Sequence, residues 1–262
     1  MDLNLSGRHA LVCGASVGIG HATAHELALL GAEVTLLARN EDTLRQVAGE
    51  LPVAGNARPH GWIVCDVSDH EDLRRKVGSL ASERPVHILI NNTGGPPGGR
   101  AFDASLDAYL DAFRNHLLAN QTLVQTVVPG MQAAHWGRIV NVVSTSVREP
   151  LPNLGVSNTI RSAVAGWAKT LSRELALSGI TVNNVLPGYT RTRRLEQILD
   201  DRSAATGKDR EQIAQAILDT VPAGRFADAS EIAAAIAFFA SPAASYVTGV
   251  SLAVDGGRMH SI

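Results

Sequence analysis

A chain of 262 residues, 45% hydrophobic and 18% charged, has the length of one large α/β domain and enough apolar residues for a sizeable core. Its formal net charge of −2 gives no electrostatic case for nucleic acid or an anionic membrane as partner. The apolar run IAAAIAFFA is too short to cross a bilayer, and the opening residues lack the basic-then-apolar order of a signal peptide. Two cysteines, Cys13 and Cys65, close separate strand-like runs, which points to a reducing cytoplasm without a disulfide.

HALVC (9–13) reads as a buried strand, followed through Gly14, Gly18 and Gly20 by a helix over Gly20–Leu30. Glycines at a strand-to-helix turn let the backbone approach a pyrophosphate, and the helix behind them offers free N–H groups and a positive dipole end. EVTLLA (33–38) is a second strand. A carboxylate at its end would bond an adenosine ribose hydroxyl. Here neutral Ala38 is followed by Arg39, which can pair with a 2′-phosphate that a carboxylate would repel. This favours NADP(H) over NAD(H).

Further strands are expected at HGWIVC (60–65), VHILI (86–90), RIVNVV (138–143), ITVNNVL (180–186) and VSLAV (250–254). Helical periodicity covers Asp69–Ala81, Leu106–Ala134, Val156–Ser178 and Glu231–Ala240. Strand and helix alternating in this way imply right-handed crossovers and a doubly wound parallel sheet of about seven strands, helices on both faces. Within GVSNTIRSAVAGWAKTLSREL (155–175), Ile160, Val164, Trp167, Leu171 and Leu175 form an apolar stripe. Ser157 and Arg161, four residues apart, share another face with Ala165 and Ala168. His60, His87 and His135 show no paired ligand spacing, so no catalytic metal is expected.

Five motifs in order, CGASVGIG (13–20), CDV (65–67), ILINNTGG (88–95), LPGYTRT (186–192) and GRFADASEIAAAIAFFASPAASYVTGVSLAVDGG (224–257), resemble those of the short-chain dehydrogenase/reductase family. The last is closest to 3-oxoacyl-(acyl-carrier-protein) reductase-like members. Cys13 replaces the usual threonine and Thr93 an alanine. The resemblance implies a single Rossmann-type domain over 1–262, with a nucleotide-binding half at about 1–140 and a substrate lid at about 190–225. It implies coenzyme contacts from Gly14, Ser16, Val17, Gly18, Ile19, Gly20, Arg39, Asp66, Val67, Asn92, Thr93, Gly94, Arg161, Pro187, Gly188 and Thr192. It also implies a small-molecule substrate interconverted between carbonyl and alcohol, and a homo-oligomer, dimer or tetramer, built on the helices at 106–134 and 156–178. Trp167 is a candidate for that surface.

The family's Tyr-x-x-x-Lys is missing. Aligned on GWAKTLSREL, its two positions hold Ser157 and Arg161. Ser144 takes the place of the catalytic serine, 13 residues before Ser157 as the family's spacing requires, and His116 takes the place of the helix asparagine, after Asn115. Tyr109, Tyr189 and Tyr246 are followed four residues later by Phe113, Arg193 and Val250, so no displaced copy of the motif exists. A phenol of pKa about 10 is tuned toward neutrality by a nearby cation, whereas a serine hydroxyl is far less acidic. Arg161 can imitate lysine in charge and in hydrogen bonding to ribose but not as a proton relay. His116 has the only ordinary pKa near neutrality in the altered tetrad. It is expected either to supply the proton through water and Ser157 or to pack on its helix beside Phe113 and Leu117. Two functions follow: an NADP(H)-dependent oxidoreductase with an altered proton path, or an NADP(H)-binding protein with little catalysis, a redox sensor or assembly partner. Ser144, Ser157, Arg161 and His116 also make a seat for an anion, and Arg191, Arg193 and Arg194 could meet an acidic substrate.

Overall fold

The computed structural model describes residues 1–53 and 58–261. Seven parallel strands, β1 (His9–Cys13), β2 (Glu33–Ala38), β3 (Gly61–Val64), β4 (Ile88–Asn91), β5 (Gly137–Val142), β6 (Ile180–Pro187) and β7 (Ser251–Val254), form one sheet in the order β3-β2-β1-β4-β5-β6-β7. The order reverses between β1 and β4, the point at which a doubly wound sheet opens a crevice beyond its strand ends.

The two-residue period of the strands feeds two cores. Ala10 and Val12 of β1, with Ile88 and Ile90 of β4, pack on α1 (Gly18–Leu29), α2 (Glu41–Glu50) and α9 (Ala229–Ala240). Leu11, Cys13 and Leu89 point the other way, onto α3 (His70–Glu83), α5 (Ala119–Ala133) and α6 (Gly155–Leu175). A fully buried leucine such as Leu11 contributes about 1.5–3 kcal/mol through apolar burial. Burial of Cys13 and Cys65 pushes both thiols up to about 12, which leaves them protonated and unreactive.

A polar ladder crosses the sheet under the site. Asn91, Asn141, Asn184 and Ser251 are register neighbours on β4 to β7. Asn91 Nδ2 donates to Asn141 Oδ1 at 2.8 Å, Asn141 Nδ2 to Asn184 Oδ1 at 2.9 Å, and Asn184 Nδ2 to Ser251 Oγ at 3.0 Å. Buried amides are costly unless paired. Pairing along one row therefore fixes the register of the four strands whose ends carry the reactive side chains.

One element differs from the sequence reading. The helix expected over Leu106–Ala134 is α4 (Leu106–Phe113), a π-helical turn (Arg114–Leu118) and then α5. A π-turn inserts an extra residue and rotates the following face, so a uniform 3.6-residue period cannot reveal it. The segment after β6 holds α7 (Arg193–Thr206) and α8 (Arg210–Leu218), which bury Leu195, Leu199, Ile213 and Ile217 against Tyr189 and Phe226. No helix of the described residues is long and apolar enough to cross a membrane.

Candidate active site

A cleft of about 980 Å³ runs over the C-terminal ends of the strands. Every coenzyme and catalytic candidate named from the sequence lines it, with two exceptions, Gly20 and His116.

Gly20 stands behind the cleft and shapes it. A Cβ there would lie 2.2 Å from the Gly14 carbonyl oxygen, and one on Gly14, at φ +59°, 2.6 Å from that of Asn92. Asn92 Nδ2 donates to the carbonyls of Cys13 and Gly14, both at 3.3 Å, so the end of β4 clamps the turn. α1 begins with no side-chain cap and no acidic residue in its first turn, leaving its positive end facing the cleft.

Arg39 and Asp66, at the ends of β2 and β3, both line the cleft. Arg39 Nη1 lies 3.9 Å from Asp66 Oδ2, with the arginine side chain 81% exposed. Hydrogen bonds from Ser68 hold the Asp66 carboxyl below its ordinary pKa, with a smaller contribution from Arg39. An exposed pair at this separation is worth at most about 1 kcal/mol, so the guanidinium remains available to a phosphate.

At the other end, Ser144 follows β5 and caps a 3₁₀ turn over Thr145–Val147, its Oγ accepting from the Ser146 N–H at 3.1 Å. Ser157 and Arg161 sit one turn apart on α6, where Arg161 Nε donates to Ser157 Oγ at 3.2 Å. Arg161 Nη1 donates to the carbonyls of Val142 at 3.3 Å and Val143 at 2.8 Å. The arginine thus ties α6 to the end of β5. Burial, and then the charge of Arg194, bring its pKa down to about 10, so it stays cationic at neutral pH. Ile160, Val164 and Leu175 of the apolar stripe are buried. Trp167 is half-buried against two cores, its indole N–H donating to Gln121 Oε1 at 2.8 Å.

His116 takes the buried of its two expected placements. It lies buried in the π-turn, where burial and then the charge of Arg161 push its pKa down to about 3. It is therefore a neutral imidazole at physiological pH. Its Nδ1 lies 2.6 Å from Thr93 Oγ1, and Thr93 does line the cleft, so the histidine reaches the site only through a threonine.

The structure also brings in residues that sequence patterns did not single out. Tyr189 alone of the three tyrosines lines the cleft, its hydroxyl 3.4 Å from Arg202 Nη2. Tyr109 donates to the Ala101 carbonyl, and Tyr246 is fully exposed. The three arginines after β6 separate: Arg191 pairs with Asp228 at 2.9 Å, whereas Arg193 and Arg194 line the cleft. The position of Tyr189 directly after the Pro-Gly turn was the available signal for it.

A family model described as enoyl-(acyl carrier protein) reductase matches residues 14–259. The chain belongs to the short-chain dehydrogenase/reductase family. It is similar to a 3-oxoacyl-(acyl-carrier-protein) reductase of Vibrio harveyi, 34% identical over 258 residues, which are 97% of this chain and 98% of that protein. Among solved structures it resembles an NAD(P)-dependent gluconate 5-dehydrogenase assigned by similarity from Beutenbergia cavernae with bound NADP (33% identity, TM-score 0.90, all of both chains covered). It also resembles L-sorbose reductase from Gluconobacter frateurii complexed with NADPH and L-sorbose (29% identity, TM-score 0.91, all of both chains covered).

Proposed function

We propose that this chain is an NADP(H)-dependent oxidoreductase that interconverts a carbonyl and an alcohol on a small or acyl-type substrate, with Ser157 and Arg161 in place of the family's tyrosine and lysine. The observation that carries the reading is one continuous cleft joining the glycine turn, Arg39 and the Ser144–Ser157–Arg161 group. The relatives named above support it, since two are described as binding NADP or NADPH and two as reductases. The coenzyme, when bound, supplies or accepts the hydride.

The residues fit that coenzyme. Gly14 and Gly20 let the turn close against Asn92 where a Cβ would force it open, and Arg39 is placed for a 2′-phosphate where NAD-selective folds carry an acid. Arg161 would hold the nicotinamide ribose with one N–H of its Nη2, leaving the other for substrate, and would keep a fixed positive charge beside the reacting carbonyl. Ser144 and Ser157 present hydroxyls to the substrate oxygen, which carries developing negative charge during reduction. With no group of suitable pKa among them, the proton reaches that oxygen from cleft water. His116, neutral, acts as a positioning residue by fixing the Thr93 hydroxyl.

The proposed enzyme is one domain over 1–262, with its nucleotide half at about 1–140 and α7 and α8 in a lid at about 190–225. It works in the cytoplasm as a dimer or tetramer built through α4, α5 and α6. On α4 the side chains of Leu106, Leu110 and Phe113 are exposed along one face, which supports assembly there. Light scattering on the purified protein tests the assembly.

NADPH consumption with a panel of ketones and 3-oxoacyl thioesters tests the activity. Turnover well above that of an S144A/R161A double variant is expected. Tight NADPH binding with no turnover on any carbonyl would instead support a sensor or assembly role, a reading favoured by the fact that the Ser157 hydroxyl is already engaged by Arg161.

A further inference from the structure

Two guanidinium groups with spare donors meet at one point of the cleft, and no carboxylate of the described residues pairs with either. Arg161 uses Nε on Ser157 and Nη1 on the carbonyls of Val142 and Val143. Its Nη2 has no partner among the described residues. Arg194, on the first turn of α7, uses Nη1 on Gln197 Oε1 at 3.3 Å and Nη2 on the Pro96 carbonyl at 2.8 Å. There it is Nε that has no partner. These two spare donors converge on Gly95: the position a Cβ would take there lies 3.3 Å from Arg161 Nη2 and 3.4 Å from Arg194 Nε. Neither is a sealed, unsatisfied atom, so both open to the cleft.

Nine of the chain's 20 arginines sit in ion pairs among the described residues. Arg39, Arg45, Arg75, Arg84, Arg100, Arg114, Arg191, Arg210 and Arg225 all have an acidic partner within ion-pair distance. Arg161 and Arg194 do not, although they are among the more buried. Asp201 is the acidic group whose charge Arg194 feels, yet it forms no ion pair with it. Each cation is held below the usual guanidinium range, chiefly by burial, and Arg161 also by Arg194. Two like charges in a partly desolvated pocket repel unless an anion lies between them. A glycine at 95 keeps that space free.

We propose that Arg161 and Arg194 bind the carboxylate of an oxo-acid substrate over Gly95, making Arg194 the residue that selects acidic over neutral carbonyl compounds. This rests on the oxidoreductase reading only for the fate of the substrate; the anion site itself does not depend on turnover. A carboxylate matches the pair because its two oxygens can each take one N–H. The site adjoins Ser157 through Arg161 and shares the cleft with Ser144, so one substrate can reach both the cationic pair and the serine hydroxyls. Arg194 also bridges the two walls of the cleft, since α7 is tied by it to the 94–100 loop at Pro96.

The full-length protein saturated with NADP⁺ is titrated calorimetrically with malonate and, as the uncharged control, malonamide. Malonate is expected to bind at least 10-fold more tightly than malonamide. R194Q is expected to lose that preference, with R194K retaining part of it and NADP⁺ affinity unchanged in both. Equal affinity for malonate and malonamide would overturn the proposal. So would full malonate affinity in a folded R194Q, or an equal loss of NADP⁺ affinity, which would assign the cationic pair to the coenzyme. In turnover, acetoacetate should exceed methyl acetoacetate in kcat/KM by at least 10-fold in the parent, mainly through KM, and R194Q should reverse the order. If no carbonyl compound is reduced while malonate behaves as expected, the anion site stands and the oxidoreductase reading falls.

Discussion

The two ends of the cleft are built by different means. At the β1–β4 end the backbone does the shaping: Gly14 at φ +59°, Gly20 against the Gly14 carbonyl, and Asn92 donating to the carbonyls of Cys13 and Gly14. At the β5–β6 end side chains do it, projecting from α6 and from the strand ends. A backbone cradle fails if a single Cβ is added, whereas the apolar burial of α6 comes from Ile160, Val164 and Leu175, on a stripe other than that of Ser157, which is buried but borders the cleft. Chemistry can thus be rewritten at one end without disturbing nucleotide binding at the other.

Breaking the backbone end should give the largest effect. In G20A the new methyl group would sit 2.2 Å from the Gly14 carbonyl oxygen, so the turn must open. We expect destabilisation of about 3 kcal/mol or more and loss of NADPH binding by at least about 100-fold, read by thermal unfolding and calorimetry. A G20A protein with parental affinity would contradict the cradle.

Restoring the side-chain end sharpens the contrast. S157Y/R161K returns the phenol–ammonium pair, and a positioned general acid accelerates proton transfer by about 10²–10⁴-fold. A rise in kcat of about 100-fold on a neutral ketone is expected, with NADPH affinity changed by less than about 3-fold. Loss of NADPH binding in that variant would mean the two ends are not separable.

Next in size is the selectivity of the nucleotide end itself. R39A removes the guanidinium at the end of β2 and leaves the Asp66 carboxylate without its ion-pair partner. A charge-assisted contact of about 1.5–3 kcal/mol is lost for NADPH alone. NADPH affinity should therefore fall about 10- to 100-fold while that for NADH stays constant or rises, as measured by quenching of protein fluorescence. Equal losses for both coenzymes would remove Arg39 from the phosphate site.

The backbone end was also the more legible in the sequence. Glycines at a strand-to-helix turn, and a cation in place of an acid at Arg39, are patterns whose physical cause is local. Ser144, Ser157 and Arg161 were placed by spacing, because a strand end and a helix turn transmit register faithfully. The same registration placed His116 but left its role open between two alternatives, since only tertiary packing reveals that burial and Arg161 suppress its charge. Nor could spacing separate Arg191, spent on Asp228, from Arg194, aimed at Gly95. Which of three neighbouring arginines keeps its charge free is decided by residues distant in sequence.

That suppressed histidine yields the smallest and most directional expectation. The folded pKa of His116, about 3, lies below its ordinary value of 6.5. The unfolded chain therefore binds the proton first as pH falls through 6.5, and stability is lost progressively from there toward pH 3. The slope approaches about 1.4 kcal/mol per pH unit for one such group, which gives roughly 1 kcal/mol between pH 6.5 and 5.5. His9, buried and held at about 4 chiefly by desolvation, adds a parallel loss, so the two must be separated. H116N should flatten the dependence of Tm on pH by about half over this interval, with H9Q removing most of the remainder. The pH–rate profile between 5 and 8 should not change in H116N, because a neutral imidazole has no proton to yield there. A limb of that profile that disappears in H116N would show the histidine charging in the working enzyme and return it to the proton path.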